Sequence, residues 1–160
     1  MTNPGLWAGT AAAASCALLW ALYRGPRGIA SHAVAFISAA LVAAAIGPGA
    51  LVGGLQEVLS EAPLLALGRI VAGGLTGLFA LRFQGSLALP DAAPGGKLVP
   101  DRTRYAMLWL AVACAGLAAV AFPRAQGAPL LPLLLLAASF VAVALAESRD
   151  PPGSRSEGQG

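Results

Sequence analysis

Five separate stretches of this chain are each long and apolar enough to cross a membrane, and that fact limits the possible folds more than any other. A helix rises about 1.5 Å per residue, so about 20 apolar residues cross the hydrocarbon core. The stretches are Leu6–Tyr23, Gly28–Ile46, Pro63–Leu81, Tyr105–Phe122 and Ala128–Ala146. Lipid offers no partner to backbone N–H and C=O groups, so a spanning segment is a helix or part of a closed barrel. The period-2 alternation of barrel strands is absent. The sequence therefore predicts an all-α, polytopic membrane helix bundle with five transmembrane helices, over residues 1–147. The polar, Gly- and Ser-containing segment 148–160 is predicted to be a disordered cytoplasmic tail.

Composition agrees with a lipid-covered surface. Of 160 residues, 58% are hydrophobic and 11% charged, where a soluble domain carries about 25% charge. The net charge of +3 could point to nucleic acid. The basic residues instead sit in short loops between apolar runs, and no basic face tracks a phosphate backbone, so nucleic-acid binding is excluded.

Breakers separate the spans. Gly25 and Pro26 force the first two into a tight antiparallel hairpin, and Gly47-Pro48-Gly49 ends the second. Pro63 suits the first turn of the third, where its missing N–H costs nothing. The loop Gln84–Arg104 holds Pro90, Pro94, Gly95, Gly96 and Pro100 and reads as irregular, and Pro123 closes the fourth span. Arg24 and Arg27, then Arg82, Lys97, Arg102 and Arg104, then Arg149 and Arg155 fall on one side of this plan. The other side keeps Arg124, Glu57 and Glu61. The positive-inside rule places the N-terminus outside and the C-terminus in the cytoplasm. Trp7, Trp20, Tyr23, Tyr105 and Trp109 lie near span ends, where amphipathic rings anchor. The first span is no signal peptide, because its positive charges follow the apolar run instead of preceding it. Ala13-Ala14-Ser15-Cys16 resembles a lipoprotein cleavage box but lacks the upstream basic residue. The Ala-rich composition suggests a high-GC bacterium, hence an inner-membrane location.

Arg69 is the most informative single residue, about two turns inside the third span. A charge at the bilayer centre costs roughly 2.5–3.5 kcal/mol on insertion scales. Either it snorkels to the outer interface, or it pairs with Glu57 or Glu61 beside a polar pathway. Those two carboxylates are one helical turn apart, in a segment 50–61 that reads as an outer loop, a short interfacial helix or a re-entrant element. His32 is the only histidine and cannot complete a zinc site alone. It reads as an interfacial side chain with a backbone partner. Cys16 and Cys114 lie in separate apolar spans with no Cys-x-x-Cys spacing. Ser15, Ser31, Ser38, Thr76 and Ser139 lack a His–acid pair and read as helix–helix hydrogen-bond donors. Gly73 and Gly77 form a small-x-x-x-small notch for close helix packing; Ala11/Ser15 and Cys114/Ala118 are weaker notches. No catalytic residue, metal site or cofactor site is predicted.

The plan resembles the J-type membrane subunit of respiratory complex I. That family has five spans with the N-terminus outside and a long cytoplasmic loop after the third. Its Arg-x-Pro-like turn is matched by Arg24-Gly25-Pro26, leading into Ser31-His32-Ala33. Its acidic residue and Leu-Ala-Leu run are matched by Glu61 and Leu65-Ala66-Leu67-Gly68-Arg69-Ile70-Val71. The family's third helix then carries a Tyr-x-Gly-Ala stretch with a π-bulge. Here Ala72-Gly73-Gly74 stands in that region without a Tyr, and Arg69 replaces a neutral residue. The resemblance covers the first half of the chain and implies a subunit of a proton-translocating assembly.

Three readings of function follow. The first is a non-catalytic subunit or accessory scaffold of a larger membrane complex, whose partners are the lipid bilayer and other membrane subunits. The second is a small homo-oligomeric transporter or channel with a polar site at Arg69, Glu57 and Glu61. The third is a lipid-processing enzyme. Only Asp101, Arg102 and Arg104 offer convergent polar groups for it, and the motifs of five-helix glycerol-phosphate acyltransferases are absent. Those three residues read better as a patch that meets anionic headgroups.

Overall fold

The computed structural model describes residues 4–45, 63–87, 102–125 and 128–148. Among them are five α-helices and no strand: α1 Pro4–Arg24, α2 Ile29–Ala45, α3 Pro63–Leu87, α4 Arg102–Ala121 and α5 Leu130–Glu147. A 3-10 turn, Phe122–Arg124, ends α4. The segment 50–61 with Glu57 and Glu61, the loop residues 88–101 and the tail from 149 lie outside the described residues.

The five helices fall on the five apolar stretches, with different ends. The third stretch loses its apolar character at Leu81, yet α3 continues to Leu87. Backbone hydrogen bonding carries a helix on into water after the lipid-facing residues stop. Likewise α4 begins at Arg102, before Tyr105. Pro129 takes the N-cap position of α5, so that helix starts at Leu130. Pro132 sits within its first turn, where no donor is missed.

The hairpin between α1 and α2 shows why its sequence is short and glycine-rich. Gly25 and Gly28 have φ of 74° and 86°, which side chains with a Cβ rarely adopt. Gly25 N donates to Ala21 O at 3.1 Å, closing α1 with a left-handed cap.

Each helix packs on its neighbours in the chain. Gly73 lies against Ala43 and Gly77 against Ala35, so α2 and α3 run antiparallel. Gly68 lies against Phe122 and Phe79 clusters with Ala111 and Ala115, so α3 and α4 do too. Arg82 reaches Glu147 at 3.4 Å, which brings the C-terminal ends of α3 and α5 together. The bundle therefore has two unlike ends. One gathers the α1–α2 turn, the end of α3, the start of α4 and the end of α5, with Arg24, Arg27, Arg82, Arg102 and Arg104. The other gathers the end of α2, the start of α3 and the 3-10 turn, with Arg124.

Packing is inside-out relative to a water-soluble bundle. The buried positions are mostly small: Ala21, Ala35, Ala72, Ala111, Ala115 and Ala118 are fully enclosed. Large side chains such as Leu117, Leu133, Leu134, Phe140 and Val141 are exposed. In water this would leave a large apolar surface uncovered. In lipid there is no gain from hiding Leu, and small residues let backbones approach closely. Three helices, Pro63–Gly85 within α3, Arg102–Arg124 and Leu130–Glu147, are long and apolar enough to cross a membrane; the apolar α2, at 17 residues, is shorter. This is an all-helical membrane protein.

Candidate functional site

Arg69 belongs to α3, six residues after Pro63, which places it about 9 Å along the helix. It is 4% exposed. Snorkelling needs an exposed guanidinium, and the structure shows a buried one. Its Nη2 donates to Ala44 O near the end of α2 at 3.3 Å. The sequence explains why that carbonyl accepts. A helical continuation of α2 would satisfy Ala44 O with the N–H of the residue four places on. That residue is Pro48, which has none. Arg69 is the donor the structure shows for that carbonyl. Its Nε is buried without a hydrogen-bond partner. Glu57 and Glu61, the partners expected for Arg69, lie outside the described residues. Glu147 is the one acidic residue among those described, and it is at the opposite end with Arg82.

Arg124 was not read from the sequence as part of a site, yet the fold brings it to Arg69. Both line one cleft of about 250 Å³. Arg124 Nη1 donates to Val120 O at 3.0 Å, capping the last turn of α4. Nothing in the sequence links residues 69 and 124. Their sharing of one cleft depends on the antiparallel packing of α3 and α4. The cleft runs from the middle of the bundle, at Thr76 and Gly116, toward the two arginines, with Leu18 and Val42 among its mostly apolar walls. Gly116 leaves room there: a Cβ would meet only Thr76 Cγ2, at 3.8 Å.

The notch at Gly73 and Gly77 is filled within the fold. A Cβ on Gly73 would collide with the side chain of Ala43, and one on Gly77 with the carbonyl of Ala35. Gly74 and Gly68 make similar room for the rings of Phe36 and Phe122. Ala118, from one of the weaker notches, is enclosed beside Ala72 and Phe122.

The hydroxyls differ from expectation. Ser15, Ser31 and Thr76 donate to carbonyls four residues back in the chain, Ala11, Arg27 and Ala72, at 2.9, 3.2 and 2.8 Å. Ser139 donates to Leu136 O at 2.7 Å. These bonds are local and join no two helices; a carbonyl one turn back is always within reach and wins. His32 Nδ1 lies 2.9 Å from Gly28 O and donates to it in the matching tautomer, which is the backbone partner expected. Cys16 is exposed, Cys114 buried, and both are free thiols. At the arginine-rich end, the Arg24 guanidinium lies over the Trp20 ring, 5.2 Å from its centroid. No family model matches this chain, and no curated protein or solved structure matches it significantly.

Proposed function

We propose that this protein is a non-catalytic integral subunit or scaffold of a larger membrane complex, with all five helices crossing a bacterial inner membrane and the arginine-rich end in the cytoplasm. The inside-out packing carries this reading. A bundle that buries Ala and exposes Leu, Phe and Val is built to be covered by lipid and other helices. Helix α5 is the least enclosed of the three long apolar helices. It leaves Ala137, Ala138 and Ala144 exposed among leucines, a face on which a partner helix can approach closely. The resemblance of the first half to the J-type subunit makes a proton-translocating assembly the first candidate complex. Among the described residues, five arginines at one end against Arg124 and the buried Arg69 toward the other support the orientation. The exposed Trp20, Tyr23 and Trp109, near that arginine-rich end, suit an interfacial belt there.

Two experiments test the proposal. The first is a gentle-detergent pull-down through a C-terminal tag with mass spectrometry. Stoichiometric recovery of other membrane subunits supports it. A monodisperse homo-oligomer without partners overturns it in favour of a transporter, the reading that the Arg69 cleft supports. The second is cysteine labelling in whole cells, with Cys16 and Cys114 changed to Ser. Ala125→Cys should react with an impermeant reagent from outside, and Ser148→Cys only after the membrane is opened. The reverse pattern overturns the orientation.

A further inference from the structure

We infer that the cleft beside Arg69 and Arg124 is a binding site for an anionic phospholipid, which places its phosphate at the two arginines and an acyl chain along the apolar groove toward Gly116.

Four features of the cleft point to this occupant. The first is charge. Two guanidinium groups line it, and among the described residues no carboxylate does. The second is an unmet donor. Arg69 is buried, spends one nitrogen on Ala44 O, and keeps a buried Nε with no partner. A buried charge-bearing group left in that state is costly, and a phosphate oxygen would satisfy it by a charge-assisted bond. The third is polarity along the cleft. The arginines stand at one end and Leu18, Val42 and Gly116 line the rest. A free anion needs only the first part, whereas a lipid uses both. The fourth is size. At about 250 Å³ the cleft is smaller than the roughly 300–1,000 Å³ of drug-sized sites. It takes a headgroup and part of one chain, not a bulky cofactor.

The two arginines also differ in how they are held. Arg69 is fixed by Ala44 O within the bundle, and the exposed Arg124, at the end of the 3-10 turn, by Val120 O in the last turn of α4. Each bond uses one guanidinium nitrogen, and the five donors of an arginine leave others for a phosphate. The site rests on α1 to α4 and needs no partner chain, so it stands or falls separately from the subunit reading.

The test is native mass spectrometry of the full-length protein in detergent, with phosphatidylglycerol and phosphatidylcholine added in turn. The wild-type protein should retain phosphatidylglycerol about tenfold more strongly than phosphatidylcholine. Arg124→Gln, on the exposed turn, should reduce that preference about fivefold or more. Gly116→Leu keeps both arginines and fills the groove, so it should lower retention of the lipid while leaving the helical circular dichroism and melting profile intact. Arg69→Gln should do the same as Arg124→Gln, and its melting profile reports whether the bundle survives. Arg102→Gln, at the other end, should leave retention unchanged. Equal retention of the two lipids, or an Arg102→Gln loss as large as that from Arg124→Gln, overturns the site. Displacement of the lipid by millimolar inorganic phosphate, with Gly116→Leu inert, also overturns it and leaves a simple anion site.

Discussion

The two ends of this bundle both carry arginine, and they use it in different ways. At one end Arg24 covers the Trp20 ring and Arg82 meets Glu147 with both side chains about half exposed. These are surface contacts in a high-dielectric setting, each contributing about 1 kcal/mol or less. At the other end Arg69 is buried and Arg124 lines the same cleft, and both donate to carbonyls near helix C-termini. The lesson is that sign of charge does not determine role. What matters is whether a carbonyl at a helix end lies within reach, and whether water can reach the guanidinium.

The comparison can be tested by substitution, starting with the largest expected effect. Gly68→Val at the cleft end puts a side chain into the ring of Phe122, itself 3% exposed and unable to move aside. It should cost about 3 kcal/mol, read as a lowered melting temperature in detergent. At the arginine-rich end Gly85→Ala meets Pro26 Cγ at 2.6 Å, but Pro26 lies in an exposed turn that can shift. It should melt close to wild type, and equal losses for the two would show that enclosure is not the cause.

Arg69→Leu comes next and acts with two signs. Removing the charge from the span should ease insertion by roughly 2.5–3.5 kcal/mol, so membrane levels hold or rise. Leaving Ala44 O without its donor should lower bundle stability by roughly 1–3 kcal/mol. A variant that inserts normally and melts as wild type would remove Arg69 from the structural account. Arg82→Ala should cost about 0.2–1 kcal/mol, with the loss shrinking in high salt, because its pair with Glu147 is exposed. Arg27→Gln, fully on the surface of the turn, should change the melting free energy by less than about 0.5 kcal/mol.

The helices were legible in the sequence because apolar runs and proline–glycine breaks are local signals. Their ends were less so, since apolarity marks the lipid boundary and hydrogen bonding marks the helix: α3 outlasts its apolar run by several residues. Arg69 was legible from its depth alone. Arg124 was not, because it sits at a span end where arginine is ordinary, and only the packing of Gly68 against Phe122 brings its turn to α3. Ser15, Ser31, Thr76 and Ser139 were misread as links between helices because sequence shows polar groups in a span but not the carbonyl one turn behind each. Glu57 and Glu61, the candidate partners the sequence offers Arg69, are outside the described residues.

The bond from Arg69 to Ala44 also ties together two positions far apart in the chain. It pins the end of α2 to α3 across 25 positions of sequence, so a change at either end of the bond is felt on both helices. The charge inside this membrane bundle thus acts as a clasp, and the two helices it joins should be the first to part when the guanidinium is removed.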